Sequence, residues 1–236
     1  MITTILFDLD GTLLPMDQDV FLKAYMGTMA ERMSKHGYVP KQLISCIWKG
    51  TEAMVKNDGS KRNDVVLWDT FSSLMGRDTR VDEPLFEDYY HNEFQMVRQS
   101  CGFDAQAAAV VKEIKAMGYT AALATNPLFP AAATHSRVRW AGLNPEDFAL
   151  ITTYENSHYS KPNPDYYREV VQKLGVQADQ CLMVGNDVTE DMIAQTLGMK
   201  VFLLTPCIIN KQNKDISQYP HGGFSELLDY IRRLDV

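Results

Sequence analysis

The sequence predicts an α/β protein: a parallel sheet covered by helices on both faces, with an all-helical segment inserted after its first strand. Three observations carry that expectation. Apolar runs rich in β-branched residues alternate with amphipathic helical patterns, the order from which parallel sheets are built. Three of the four clearest runs end in polar residues, at the carboxyl edge where open α/β sheets bind their ligands. Residues 16–99 carry helical patterns and no convincing strand.

The first run, TTILFDLD (3–10), ends in two acids followed by a glycine. Four helix-like segments come next: DVFLKAYMGTMAERMSKHG, KQLISCIWKGTEAMVKNDG, NDVVLWDTFSSLMG and EPLFEDYYHNEFQMVRQS, parted by Gly, Pro and Asn/Asp turns. The pattern AQAAAVVKEIKAMG (105–118) predicts a helix stopped by glycine, and YTAALATN (119–126) a second strand. DFALITT (147–153) is a weaker strand candidate. PDYYREVVQKLG (164–175) reads as a helix with Asn163 as cap, Pro164 in the first turn and Gly175 as stop. QCLMVGND (180–187) is the third strand, VTEDMIAQTLG (188–198) a helical pattern, and KVFLLT (200–205) the fourth strand. Near the end, Phe224, Leu227, Leu228 and Ile231 keep the spacing of one helix face. A helical block between the first two strands of a sheet is a second, smaller unit, so the expected division is 1–15 and 100–236 for the core and 16–99 for the insertion.

Composition narrows the function classes. With 236 residues, 45% hydrophobic and 22% charged, the chain can bury a sizeable core and is not expected to be disordered. No apolar run approaches the roughly 18 residues of a membrane span, and no basic region precedes the N-terminal apolar stretch, so a cytoplasmic protein is expected. A net charge of −7 without a Lys/Arg run argues against nucleic-acid or membrane partners. It also means that an anionic ligand needs a local cation. The cysteines Cys46, Cys101, Cys181 and Cys207 form no CxxC pair and read as reduced thiols. The five histidines show no metal-ligand spacing, although His158 and Tyr154 lie close to Lys161 in sequence and are the best of them for lining a cleft. The methionines read as adaptable core filling, Trp48, Trp68 and Phe71 as helix packing, and Arg137 and Arg139 as solvated charges on a helix.

The informative residues finish strands. Asp8 and Asp10 end the first, Thr125 and Asn126 the second, and Asp187 the third, with Asp191 one helical turn on and Lys161 before a helix. Carboxylates brought that close raise one another's pKa unless a cation holds them. A hard divalent ion with oxygen ligands answers this, and Mg²⁺ favours a few carboxylates, waters and phosphate oxygens. Each aspartate taken alone can equally cap a turn or helix. Gly11 permits a chain reversal that aims backbone N–H groups at a ligand, and Thr12 can fix that turn; for both, plain turn chemistry stays open.

DLDGTLL, ATN, SKP and VGNDVTED stand in the order and approximate separation of the four motifs of the haloacid dehalogenase-like hydrolase superfamily, which the chain resembles over residues 1–15 and about 101–204. The resemblance implies a Rossmann-like three-layer αβα core, with the helical insertion where the family's C1-type cap belongs. It further implies a phosphoaspartate mechanism on a small phosphorylated metabolite. Asp8 would be the nucleophile, and Asp10 the acid that becomes the base. Thr125, with the amides around Asn126, would hold phosphate oxygens, and Lys161 would steady the charge. Mg²⁺ would be held by Asp8, the Asp10 carbonyl and Asp187, with Asp191 in support. A phosphomutase of the same fold, or a phosphate-ligand-binding protein without turnover, is the alternative. The dehalogenase branch has no use for an acid at position 10. Substrate and oligomeric state are left open.

Overall fold

The computed structural model describes residues 1–234; the last two residues of the expected core segment lie outside it. A five-stranded sheet has the order β2-β1-β3-β4-β5 and is parallel throughout. Its strands are β1 (Thr4–Phe7), β2 (Thr120–Leu123), β3 (Cys181–Gly185), β4 (Lys200–Leu204) and a short β5 (His221–Gly222). β1 is central: Phe7 sits in register with Leu123 on one side and Val184 on the other. The carboxyl ends of β1, β2 and β3 therefore open side by side, which brings the three motif-bearing loops to one edge.

Alternation along the strands divides the core into two layers. Ile5, Phe7, Leu123, Val184 and Phe202 face α5 (Ala105–Ala116) and α8 (Phe224–Arg232). Leu6, Ala122, Met183 and Leu203 face α7 (Pro164–Leu174) and the 3₁₀ helix Met192–Leu197. Three layers are the result, as predicted. The α7 signals hold in detail: the Asn163 side chain accepts from the Asp165 N–H, and Gly175 closes the helix at φ 68°.

Between β1 and β2 the chain forms α1 (Gln18–Ser34), α2 (Pro40–Val55), α3 (Asn63–Met75) and α4 (Glu83–His91), then a 3₁₀ stretch, Glu93–Ser100. Phe21 and Tyr25 of α1 pack on Phe94, edge to face, and Phe94 stacks obliquely on Trp140 of α6 (Ala131–Trp140), so the insertion shares one apolar cluster with the sheet. The chain enters and leaves the insertion side by side: Met16 bridges Cys101 antiparallel, and the Gly102 N–H donates to the Pro15 carbonyl at 2.7 Å. On its other flank, buried Asn63 donates through Nδ2 to the carbonyls of Pro127 and Tyr159 and to Ser160 Oγ, at 3.3, 3.3 and 3.1 Å.

Three expectations need correction. DFALITT is no strand of its own; Ile151 makes one bridge to Leu123 and the segment turns away at Thr152–Thr153. Residues 188–198 do not form an α-helix, because Asp187 and Asp191 turn their carboxylates onto nearby backbone N–H groups, leaving only the 3₁₀ turn before Gly198. The fourth helical pattern breaks at Asn92, whose backbone departs from helical angles. No described helix is long and apolar enough to cross a membrane.

Candidate active site

β1 carries Asp8 to the carboxyl edge, where its N–H still pairs with the Val184 carbonyl at 2.9 Å. Lys161 meets it from the loop before α7. Its ammonium donates to Asp8 Oδ1 at 2.9 Å and to Asp191 Oδ1 at 2.7 Å, and the side chain is 1% exposed. Burial opposes the lysine's charge, but Asp191 and Asp8 outweigh it and hold its pKa well above the ordinary value. Burial also pushes the Asp191 carboxyl up to about 6, with Lys161 opposing and Asp8 adding to the rise. The Lys161 ammonium and the Asp8 and Asp191 carboxyls form one buried triad.

The turn after β1 is built for Asp8. Gly11 adopts φ +83° and donates its N–H to the Leu14 carbonyl at 2.8 Å, and the Thr12 N–H donates to Leu9 at 3.1 Å. Those two amides close the turn rather than facing a ligand. A Cβ on Gly11 would strike the Asn186 carboxamide, so both conformation and space require glycine. The Thr12 hydroxyl lies 3.1 Å from Asp8 Oδ2 and 3.0 Å from Asn186 Oδ1, which ties the β1 and β3 loops to the carboxylate.

Asp10 lives in a different environment. Its Oδ2 pairs with Arg137 of α6, and its buried Oδ1 has no partner. Burial raises its carboxyl above the ordinary range; Arg137 pulls the other way and Asp8 adds to the rise. Arg137 corrects the sequence reading, for its guanidinium is fully buried, 4.3 Å from the Phe129 ring centroid, not solvated. The sequence held a signal: Ala133, Arg137 and Trp140 follow i, i+4, i+7, so Arg137 is a lone charge on an apolar stripe. Arg139 is exposed, as expected.

Thr125 is buried, and its carbonyl accepts from the Thr152 and Tyr166 hydroxyls at 2.7 and 2.9 Å, which fixes the end of β2. Asn126 ties three loops together: Oδ1 accepts from the Lys161 N–H at 3.2 Å, and Nδ2 donates to Glu190 Oε2 at 2.9 Å. Glu190 was not singled out from the sequence, although it sits inside VGNDVTED. Burial pushes its carboxyl up to about 7, with Lys161 offsetting and Asp191 and Asp187 adding. The folded chain thus keeps a proton on Glu190 that the unfolded chain has lost above about 4.5. Stability of the metal-free protein should therefore fall as pH rises from about 5 through 7. Melting temperatures across that window check it, and Glu190→Gln should flatten the slope; an unchanged slope in the variant removes Glu190 as a cause.

Asp187 uses Oδ1 to accept the Thr189 and Glu190 N–H groups at 2.7 and 2.9 Å, and Asp191 Oδ2 accepts the Asp187 N–H at 2.9 Å. Five carboxylates, those of Asp8, Asp10, Asp187, Glu190 and Asp191, thus gather around Lys161 and Arg137. An oxygen-only, anion-rich donor set fits a hard divalent cation. Among the described residues no three His, Cys, Asp or Glu side chains converge to hold a metal. Such an ion would therefore rest on two carboxylates, Asp8 and Asp187, and a main-chain carbonyl. Asp191 spends one oxygen on Lys161 and the other on the Asp187 N–H, and the Asp10 side chain pairs with Arg137; Asp8 also pairs with Lys161, so it would hold the ion through a lone pair left free.

A cavity of about 230 Å³ runs from Asp10, Asn126 and Glu190 into the helical insertion. Trp48, Trp68 and Phe71, read from the sequence as packing residues, line it, as do Met16, Met26, Met29 and Met54. Tyr154 also lines it. His158 does not; it pairs with Glu169 at 2.8 Å on the outside of α7.

A family model described as haloacid dehalogenase-like hydrolase matches residues 2–194. The chain is similar to Pyrophosphatase PpaX of Bacillus cereus (strain AH820), 25% identical over 210 residues covering 84% of this chain and 81% of the relative. Among solved structures, a HAD phosphatase from Thermococcus onnurineus superposes with a TM-score of 0.60 at 19% identity, over 98% of both chains. A 2-haloacid dehalogenase from Pseudomonas syringae pv. Tomato DC3000 reaches 0.62 at 22% identity, over 99% of this chain and 100% of that one. The two structural likenesses speak for the fold alone.

Proposed function

The chain belongs to the haloacid dehalogenase-like hydrolases, and from that premise we propose that it is a Mg²⁺-dependent phosphatase hydrolysing a small-molecule phosphomonoester through a phosphoaspartate. One observation carries the reading. Two carboxyls two residues apart differ in their contacts: Asp8 meets the Lys161 ammonium and the Thr12 hydroxyl, while Asp10 pairs with Arg137 through one oxygen and leaves the other buried and without a partner, its pKa raised by desolvation. Such a split is how a site assigns nucleophile and acid.

Asp8 attacks phosphorus while Asp10 gives its proton to the departing ester oxygen. Asp10, now ionised, takes a proton from the water that attacks the aspartyl phosphate, releasing phosphate and restoring both groups. Lys161 offsets the repulsion between Asp8 and a phosphate dianion, and Thr125 with the amides around Asn126 holds phosphate oxygens. Gly11 and Thr12 shape the turn that aims Asp8. When bound by Asp8, Asp187 and the Asp10 carbonyl, Mg²⁺ supplies further neutralisation of that repulsion. Residues 16–99 act as a C1-type cap that excludes water and contacts the leaving group. A dehalogenase would leave the raised Asp10 without a task.

Release of inorganic phosphate from a panel of phosphomonoesters tests the reading. Chelation should lower the rate by at least about 100-fold, and added Mg²⁺ should restore it. Because Asp10 works in its protonated form first, kcat should fall as pH rises through its raised pKa. Inactivity across the panel, or indifference to chelation, sinks the proposal. An isomerised ester in place of free phosphate, seen by NMR, would instead mark a mutase.

A further inference from the structure

We propose that the leaving-group side of this site is built for an uncharged, apolar alcohol, aromatic or aliphatic, of up to about nine carbons. The inference rests on the phosphatase reading in one respect: it puts phosphorus at Asp8 and the departing oxygen at Asp10. Asp10 lines the cavity together with Asn126 and Glu190, so whatever that oxygen carries has this space beside it.

That space is large for an incidental packing gap, since protein interiors rarely leave voids beyond the size of a water molecule. An apolar cavity of about 150 Å³ accepts benzene, and about 230 Å³ scales to roughly nine carbons. The walls are mostly hydrocarbon and ring, including Phe21, Trp48, Trp68, Phe71 and Phe86, with the uncharged polar side chains of Gln18, Thr51, Asn126 and Tyr154 among them. Tyr25 and Tyr90 also line the cavity, and their hydroxyls bond each other at 2.9 Å, which gives both polar ends a partner. Among the described residues no Lys, Arg or His lines it, and its only charged groups are Asp10 and Glu190. Arg137 lies behind Asp10 and Phe129, fully buried and paired. A second phosphate or a carboxylate on the leaving group would enter without a counter-charge and meet acids there, a costly burial. An apolar group would gain from every carbon withdrawn from water.

The test is kcat/KM with Mg²⁺ for methyl, butyl, hexyl, decyl and benzyl phosphate, whose alcohols differ little in basicity, beside glycerol 3-phosphate, phosphoglycolate and pyrophosphate. The expected gain is roughly three- to fourfold per methylene, levelling off by decyl, with hexyl and benzyl above all three polar substrates. Thr51, half-buried in the cavity wall, provides a second measurement. Thr51→Phe should move the plateau to shorter chains, and the position of the plateau, not the rate, is the readout. Calorimetry with hexylphosphonate and methylphosphonate reads the same preference without turnover. If phosphoglycolate or pyrophosphate is best and hexyl is no better than methyl, the apolar assignment falls while the phosphatase reading stands. If no ester is hydrolysed but hexylphosphonate binds at least tenfold tighter than methylphosphonate, the phosphatase reading falls and the cavity assignment stands. A plateau unmoved in Thr51→Phe overturns the cavity as the leaving-group site.

Discussion

Asp8→Asn should lose turnover by a factor on the order of 10⁴ or more while keeping its fold. Loss of a nucleophile that works with a partner acid typically removes nearly all of the covalent contribution. The substitution is isosteric, and the surrounding bonds can survive it. The Thr12 hydroxyl has one proton to share between Asp8 Oδ2 and Asn186 Oδ1, which lie at similar distances from it. With asparagine, the new amide can donate to Thr12, whose proton then serves Asn186. The new amide oxygen can still accept from Lys161, which also keeps Asp191. Melting temperature should stay close to wild type, so lost activity cannot be put down to unfolding. More than about 1% residual kcat with intact Mg²⁺ dependence would remove Asp8 from the nucleophile's role.

Lys161→Met should damage both stability and catalysis. The lysine is 1% exposed and holds two carboxylates, one of which, Asp191, is itself 1% exposed. Without the ammonium those charges stay buried and face each other, and removing one member of a buried ion pair costs about 3–5 kcal/mol. At roughly 2–4 °C per kcal/mol for a chain of this size, the melting temperature should drop by on the order of 10 °C. The deficit has a sign in pH. Stripped of Lys161, Asp191 rises further above its unfolded value, so the variant binds a proton in the folded state that the unfolded chain lacks. Its stability is then retained at low pH and lost as pH rises through neutrality, and the gap to wild type narrows toward about pH 5. Catalysis should fall by at least about 10³-fold at every pH, because a bound cation alone would be left to offset the repulsion between Asp8 and phosphate. An unchanged melting temperature at neutral pH would mean that the triad does not hold the site together.

Much of this was legible in the sequence because strand ends are fixed by period and composition. Ile5 and Phe7 had to face one layer and Leu6 the other, so Asp8 emerges at the edge wherever β1 stops. Asn163, Pro164 and Gly175 are local signals, set by backbone chemistry alone, and they placed α7 correctly. What escaped depends on contacts distant in sequence. Arg137 reads as a surface charge until α6 lies against Asp10, 127 residues away. Trp68 and Phe71 pack within the insertion and also wall its cavity, whereas Trp48 walls it while exposed, and spacing along a helix cannot tell these roles apart. The 3₁₀ turn after β3 was misread because Asp187 and Asp191 spend their carboxylates on backbone amides and on Lys161, a use that helix periodicity does not reveal.

The paired strands at Met16 and Cys101 and the buried Asn63 on the opposite flank have a mechanical consequence. The two chain crossings lie side by side, so a turn of the insertion about them would leave their own bonds intact and act instead on the aromatic cluster around Phe94. Asn63 is the bolt. Its amide nitrogen engages the Pro127 carbonyl after β2 and, in the segment leading to Lys161, the Tyr159 carbonyl and the Ser160 hydroxyl, and its own N–H donates to the Ser157 carbonyl at 2.8 Å. Moving the insertion away on this flank would have to break those four bonds together. The insertion is thus bolted to the loop that carries Lys161, so the position of the one bears on the placement of the other.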